Sequence, residues 1–430
     1  MSAEDLRVAR AELSRLVEPG DLLAGVLVAH LGAQDAHGLI TSGAGAGAVL
    51  ATEISERGEQ EGLGQRQRHL PEGLARWRTR LGQIDGLREL ATIGRMGGGL
   101  VTPEDPDWPA ALEDLGPRAP LGLWYRSHRP DPEEALKSLP HFARRVAVVG
   151  SREVTDYGLR AASEIVEDLV THGLCVVSGG AYGVDAAAHR AALRRHAASP
   201  SASVPTAAVL AGGLDRFYPA GNEQLLRSIA EHGVLLSEMP PGGSPTRHRF
   251  LQRNRLIAAL TAVTVVIEAR WRSGAQSTAH HALAMSRPVG VVPGSIYSAS
   301  SAGCHRLLRE TPAELVTDAA DVVELIRATA AAESGDACLA AAPAAEDHPR
   351  LPGVESPSGF RSEQQRARPQ DGLREVDRLL LDALPRRRLS PPGRLAEVAG
   401  LPMPQVLGGL TRLQRGGLAR EIGGEWGRAV

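Results

Sequence analysis

The feature that most constrains this fold is an apolar run that ends in a glycine turn and a helix start, and it occurs twice. Val146-Ala147-Val148-Val149 leads into Gly150-Ser151-Arg152. Leu174-Cys175-Val176-Val177 leads into Ser178-Gly179-Gly180-Ala181-Tyr182-Gly183. A short continuous apolar run is how a parallel strand reads when both its faces are covered. The glycine lets the chain turn sharply and approach a ligand closely. The helix that follows leaves free N–H groups at the turn, which favour an anion. The two units lie about thirty residues apart, the length of one strand–helix–strand crossover. Both turns are therefore expected on one edge of a parallel sheet, where open α/β sheets bind ligands. Each turn taken alone is more often plain turn chemistry.

Further strands are expected at 207–210, 234–237, 263–268 and 288–292. Helices fit 157–171, 184–192, 222–231, 252–260, 275–285 and 319–328. Strands alternating with helices imply an α/β fold with a doubly wound parallel sheet. At 430 residues the chain is too long for one ordinary domain. Residues 1–100 read as small helices, including 3–16, 22–31, 74–81 and 84–93, broken by glycine-rich stretches. They suit a helical cap or a dimerisation module better than a DNA-binding one. Residues 101–143 form a proline-rich joint whose aromatics, Trp108 and Trp124-Tyr125, suit packing. The core spans 144–328, with 197–205 as a flexible loop. Residues 329–372 have one aromatic, Phe360, and read as a flexible linker. Residues 373–430 read as helix, helix, a turn at Gly400, helix and a Gly-Gly hairpin. That is the layout of a winged helix, which could meet duplex DNA or protein.

The formal charge is −2, so any nucleic-acid binding must come from a local patch. Such a patch is visible. From residue 244 to 309 there are nine arginines (247, 249, 253, 255, 270, 272, 287, 306, 309) against one acid, Glu268. It reads either as a solvated face or as an anion groove with stacking residues, the way single strands are held. Arginine forks suit phosphate. Helical spacing would put Arg249 and Arg253 on one face beside Phe250. The stretch 273–279 offers a further helix start with hydroxyl residues.

Catalytic machinery is sparse. Asp185 and His189 stand four apart on a helix with no Ser or Cys partner, which suits capping and core satisfaction. Glu238 follows a strand without a defined task. The three cysteines, Cys175, Cys304 and Cys338, give neither a disulfide framework nor a metal knuckle, so no metal and no cofactor is expected. They suit a reducing cytosol. No leader is recognisable, and no apolar run reaches ~18 residues, so a cytoplasmic protein without a membrane span is expected.

These residues together carry a pattern that resembles the DprA (Smf) family of DNA-processing proteins. The matching segments are Val148-Val149-Gly150-Ser151-Arg152, Tyr157-Gly158, and Ser178-Gly179-Gly180-Ala181-Tyr182-Gly183-Val184-Asp185 with Ala188-His189. Gly212-Gly213-Leu214-Asp215, Tyr218-Pro219, Asn222 and Ser237-Glu238 continue it. Phe250, Arg253-Asn254-Arg255-Leu256-Ile257-Ala258, Glu268-Ala269, Ser273-Gly274, Thr278-Ala279, Val292-Pro293-Gly294 and Gly303-Cys304 complete it. The resemblance implies an extended Rossmann-like core that binds single-stranded DNA, dimerises and catalyses nothing. It implies protection of incoming strands and help in loading the RecA recombinase during natural transformation. It also implies contacts from Ser151 and Arg152, phosphate donors at Ser178, Gly179 and Gly180, and a groove wall of Phe250, Arg253 and Asn254. Arg249 is added to that wall from helical spacing alone. The pattern departs at His305, where the family usually has Asn, and at Thr311-Pro312-Ala313 in place of Gly-Ala.

Three rival readings fit the residues less well. A LOG-like phosphoribohydrolase needs a Pro-Gly-Gly-x-Gly-Thr loop and a following Glu, where this chain has Asp185-Ala186. A dinucleotide-dependent dehydrogenase needs Gly-x-Gly-x-x-Gly, and Gly150-Ser151-Arg152-Glu153 lacks the second Gly. A winged-helix regulator would read DNA through 404–415, whose candidate base readers are Gln405, Thr411, Arg412 and Gln414.

Overall fold

The computed structural model describes residues 3–128, 136–137, 139–200, 203–333, 373–385 and 389–429. Its centre is a nine-stranded sheet. The strands are β1 (Gly98–Val101), β2 (Leu123–Arg126), β3 (Arg145–Val149), β4 (Cys175–Ser178), β5 (Thr206–Leu210), β6 (Val234–Ser237), β7 (Val263–Val266), β8 (Val289–Val291) and β9 (Glu314–Leu315). Their order is β1-β2-β6-β5-β4-β3-β7-β8-β9. From β6 to β9 every neighbouring pair is parallel. Only β1 and β2 run antiparallel, β2 pairing with β6.

The residues of β3 explain the layering. Side chains alternate across a strand. Ala147 and Val149 bury into a cluster with Leu256, Ile257, Ala275 and Ala279 from helices Arg247–Ala259 and Gly274–Ala284. Val146 and Val148 bury on the other face with Ala162, Ile165, Val166 and Ala188, from helices Asp156–Thr171 and Val184–Ala198. Each valine, 3% exposed or less, contributes about 1.5–3 kcal/mol of transfer free energy. The chain leaves β3 toward β4 on one side and returns on the other as β7. The loops after β3 and β7 therefore face each other across the switch point of the sheet.

Several boundaries differ from the sequence expectations. The helix expected at 252–260 starts five residues earlier, at Arg247, because the Thr246 hydroxyl accepts from Arg249 N–H at 3.2 Å and caps it. The proline-rich joint contributes β1's partner, β2. Trp124 there is fully buried, and its indole N–H donates to Ser14 Oγ at 3.1 Å. Both faces of β2 are covered, so its sequence shows no alternation to read. A helix at Ala302–Glu310 had no sequence expectation either.

The first hundred residues form six α-helices. Those at Ala33–Thr41 and Ala48–Gln60 stand on either side of the glycine-rich break expected at 43–47. The first five share a core of Leu13, Leu16, Leu27, Ile40, Ile54, Leu74 and Trp77, and the sixth, Gly86–Gly94, buries Ile93 in a cluster with Leu100 and Trp124. Glu18 fastens them to the sheet unit. Its carboxylate bonds the Arg249 guanidinium at 2.6 and 2.9 Å and also pairs with Arg80. Burial alone would raise the Glu18 carboxyl, but Arg249 and Arg80 outweigh it and hold the group well below the usual carboxylate range.

At the other end, helices Glu375–Ala383, Pro392–Ala399 and Met403–Arg415 precede an antiparallel hairpin of β10 (Ala419–Ile422) and β11 (Glu425–Arg428). Gly400 caps the second helix in the left-handed region, at φ 63°. The stretch read as a linker lies outside the described residues from 334 to 372, and the preceding helix extends to Glu333. Among the described residues, no helix is long and apolar enough to cross a membrane.

Candidate functional site

An open pocket of about 920 Å³ lies over the switch point. The loop after β3 supplies Ser151, Arg152 and Glu153, and the loop after β7 supplies Arg270, Arg272 and Ser273. The helix that begins at Arg247 supplies Arg247, Phe250, Arg253 and Asn254. Four hydrogen bonds set this geometry. The buried Glu268 accepts from Thr155 N–H at 2.9 Å and from its hydroxyl at 2.6 Å, and Ser151 N–H donates to Glu268 O at 2.7 Å. Asn254 Nδ2 donates to Gly274 O at 3.2 Å and joins the arginine helix to the next turn.

Phe250 is the apolar centre of this pocket. The Arg152 and Arg253 guanidinium groups lie over its ring at 5.0 and 5.8 Å, and Tyr218 packs against it with centroids 5.9 Å apart. The two arginines hold different states. Arg152 is exposed. Arg253 is buried, and its Nη1 donates to Gly179 O at 2.7 Å and to Val209 O. Burial pulls the Arg253 pKa down to about 10, with Asp185 opposing the shift. Its Nε has no partner among the described residues.

Five of the nine site residues expected from sequence line this pocket: Ser151, Arg152, Phe250, Arg253 and Asn254. The other four do not. Ser178 is buried and its hydroxyl donates to Val148 O at 2.7 Å. Gly179 N–H donates to Asp185 at 3.2 Å, and Gly180 O accepts from Asn222 Nδ2 at 3.0 Å. The named donors of Ser178 and Gly179 are thus spent inside the protein, and the second glycine turn acts as an internal brace. A Cβ on Gly179 would overlap the Arg253 guanidinium, which is why the turn needs glycine there. Arg249 points to Glu18 and also donates to Ser244 O at 2.7 Å, so it parts from Arg253 despite the helical spacing.

The arginine-rich stretch is likewise not one face. Arg255 is buried on Glu238 at 2.6 Å, and Arg287 is buried on Asp114 at 2.6 Å. Arg270 pairs with Glu153 at 2.7 Å. The compensating acids lie elsewhere in the chain, so counting within the stretch overstated its charge. Glu238 is committed to Arg255. His189 is buried against the Thr206 hydroxyl at 2.7 Å, and burial pulls it down to about 3. His305 Nε2–H donates to Gly294 O at 3.0 Å and so fastens the loop after β8.

Arg247, Arg270 and Arg272, counted in the arginine-rich stretch but not singled out as site residues, line the pocket, as does Tyr218. The three arginines sit in a turn or helix start at the carboxyl end of a strand, whereas Tyr218 meets Phe250 only through the fold. The C-terminal unit also reaches the wall, through Asp382, Leu384 and Arg428. Burial raises Asp382, while Arg247, Arg428 and His248 oppose that shift.

Comparisons with known proteins follow the same segments. A family model described as DNA recombination-mediator protein A matches residues 99–327. A DprA relative from Mycobacterium tuberculosis is 42% identical over 348 residues, covering 79% of this chain and 79% of its own length. The solved DNA processing protein A of Streptococcus pneumoniae superposes with a TM-score of 0.54 at 28% identity, covering 75% of this chain and 98% of that one. A Helicobacter pylori DNA processing protein A, solved for its single-stranded DNA binding mode, is 27% identical with a TM-score of 0.45, covering 54% of this chain and 96% of that one. The chain belongs to the DNA recombination-mediator protein A family, whose members are called DprA or Smf.

Proposed function

We propose that this chain binds single-stranded DNA in the switch-point pocket as a recombination mediator, making and breaking no covalent bond. The observation that carries this reading is the pairing of Phe250 with an arginine-lined rim. Arg152, Arg247, Arg270 and Arg272 are exposed around it. An aromatic platform inside a cationic groove suits unpaired bases on a charged backbone. A wide pocket at the carboxyl ends of parallel strands, with Tyr218 beside Phe250, leaves room for a strand rather than a single small molecule. The family description supports the mediator role; RecA as partner, a homodimer as the working state and natural transformation as the setting are carried over from the resemblance to the DprA (Smf) family. The three helices and hairpin of 373–430 support a winged-helix domain, and the helices of 1–100 a helical domain ahead of the core.

The test is a binding titration of the purified full chain with single-stranded and duplex oligonucleotides across a salt series. The single strand is expected to bind more tightly, with log affinity falling linearly against log salt. Equal affinity for both forms, or an affinity indifferent to salt, would overturn the reading. A strand-exchange assay with RecA on coated single strands tests the mediator step.

A further inference from the structure

Beyond Phe250 and its neighbour Tyr218, an exposed tryptophan stands between two arginines that line the pocket. Trp271 is 46% exposed, whereas Trp77, Trp108 and Trp124 are at most 9% exposed. It stands in the loop after β7, between Arg270 and Arg272, which both line the pocket. The Arg306 guanidinium lies over its ring at 5.0 Å, and Arg306 is itself held by Glu310 at 2.7 Å. The loop beneath is fastened from both sides. Gln276 Nε2 donates to Arg270 O at 2.8 Å and to Trp271 O at 2.9 Å, and Gly303 N–H donates to Ala269 O at 2.7 Å. A Cβ on Gly303 would crowd Arg270 O and the Gln276 amide, so the helix start at Ala302 is pressed against this loop. The indole is thus a positioned surface rather than a loose loop tip.

We infer that Trp271 is a second base-stacking platform for the same strand. This rests on the single-strand reading above and extends it. A strand leaving Phe250 along the loop after β7 would set its phosphates against Arg270 and Arg272 and the next accessible base on the indole. Trp is the largest stacking surface among side chains, and the stacked guanidinium on it holds the ring without a packed core beneath. Every base has a π-face, so this platform lengthens the footprint without adding sequence preference.

The test uses the full chain and an oligo-dT of about 16 nucleotides, long enough to cover more than one platform. Trp271→Ala is expected to weaken binding at least about fivefold, the lower end of what one stacked base contributes. Trp271→Phe is expected to restore most of that affinity while losing most of the intrinsic tryptophan quenching that the strand causes in the unaltered chain. Unchanged affinity in Trp271→Ala would overturn the inference, as would quenching that persists in Trp271→Phe. If the unaltered chain binds the oligonucleotide and Phe250→Ala weakens it while Trp271→Ala does not, only the second platform falls. If the unaltered chain binds no single strand, the functional reading falls with it.

Discussion

The glycine turns at 150–153 and 178–183 follow neighbouring strands and open onto helices, yet they face different surroundings. The first presents Arg152 to the pocket. The second is roofed by Arg253 and by Asp185, which take its carbonyl and its N–H groups. A glycine-bearing turn offers donors to a ligand only when no side chain from elsewhere has claimed them. In this fold the claimant of the Gly179 and Ala181 N–H groups is Asp185, while Arg253, 74 residues away from Gly179, donates to its carbonyl. Two arginines over one phenylalanine ring thus divide the work: Arg253 builds the floor and Arg152 faces outward.

The strongest way to break this comparison is to remove the floor. Arg253→Ala strips a buried cation from Gly179 O and Val209 O and leaves Asp185 without its opposing charge. It is expected to cost about 3–5 kcal/mol of stability, read by denaturant unfolding. Arg152→Ala, exposed, is expected to change stability by no more than about 0.5 kcal/mol. If the two variants melt alike, the division of labour is wrong.

The buried base of the second turn gives a pH signature. His189 has an ordinary value of 6.5 and is pulled down to about 3 in the folded chain. The unfolded chain therefore binds the proton first, and stability present above pH 6.5 is lost as pH falls toward 3. A His189→Asn variant removes that contribution, so its stability relative to the parent should rise as the solution is acidified through this window. Circular-dichroism melts across the range read the difference, and a constant gap would place a charged imidazole in the core.

On the open side, Phe250→Ala is expected to weaken single-strand binding by roughly 1–3 kcal/mol if a base stacks there. Arg152→Ala should weaken binding less, and should lower the slope of log affinity on log salt by about 1. A titration in which Phe250→Ala keeps full affinity moves the platform elsewhere. The smallest effect belongs to Ser178→Ala, which removes the bond to Val148 O. It is expected to cost about 1 kcal/mol of stability and to leave strand binding unaltered. A large binding loss in that variant would return the second turn to the interface.

Much of the parallel sheet was legible because its strands are covered on both faces and read as apolar runs, as at Val146 to Val149. The first turn and the helix around Phe250 were legible through their glycine and arginine content. What was not legible depends on partners distant in sequence. Glu18 lies 231 residues from Arg249, so no local pattern could show that this arginine turns away from the pocket. Glu238 and Asp114 neutralise Arg255 and Arg287 in the same way. β2 escaped because a strand between two others needs no alternation; Trp124 packs as expected, but only the fold shows that its indole meets Ser14. Tyr218 escaped because only the fold brings it beside Phe250.

The clasp at Glu18 bears on how the molecule can be taken apart. A fragment cut ahead of the sheet, beginning at residue 101, would keep every strand from β2 onward and every pocket residue of the sheet unit. It would nonetheless leave Arg249 an interior cation with no counter-ion, on the very helix that carries Phe250, and would bare the indole of Trp124. The seams suggested by composition and the seams along which the protein can be dissected without injury are therefore different lines. A smaller piece worth isolating keeps the first hundred residues together with the sheet unit.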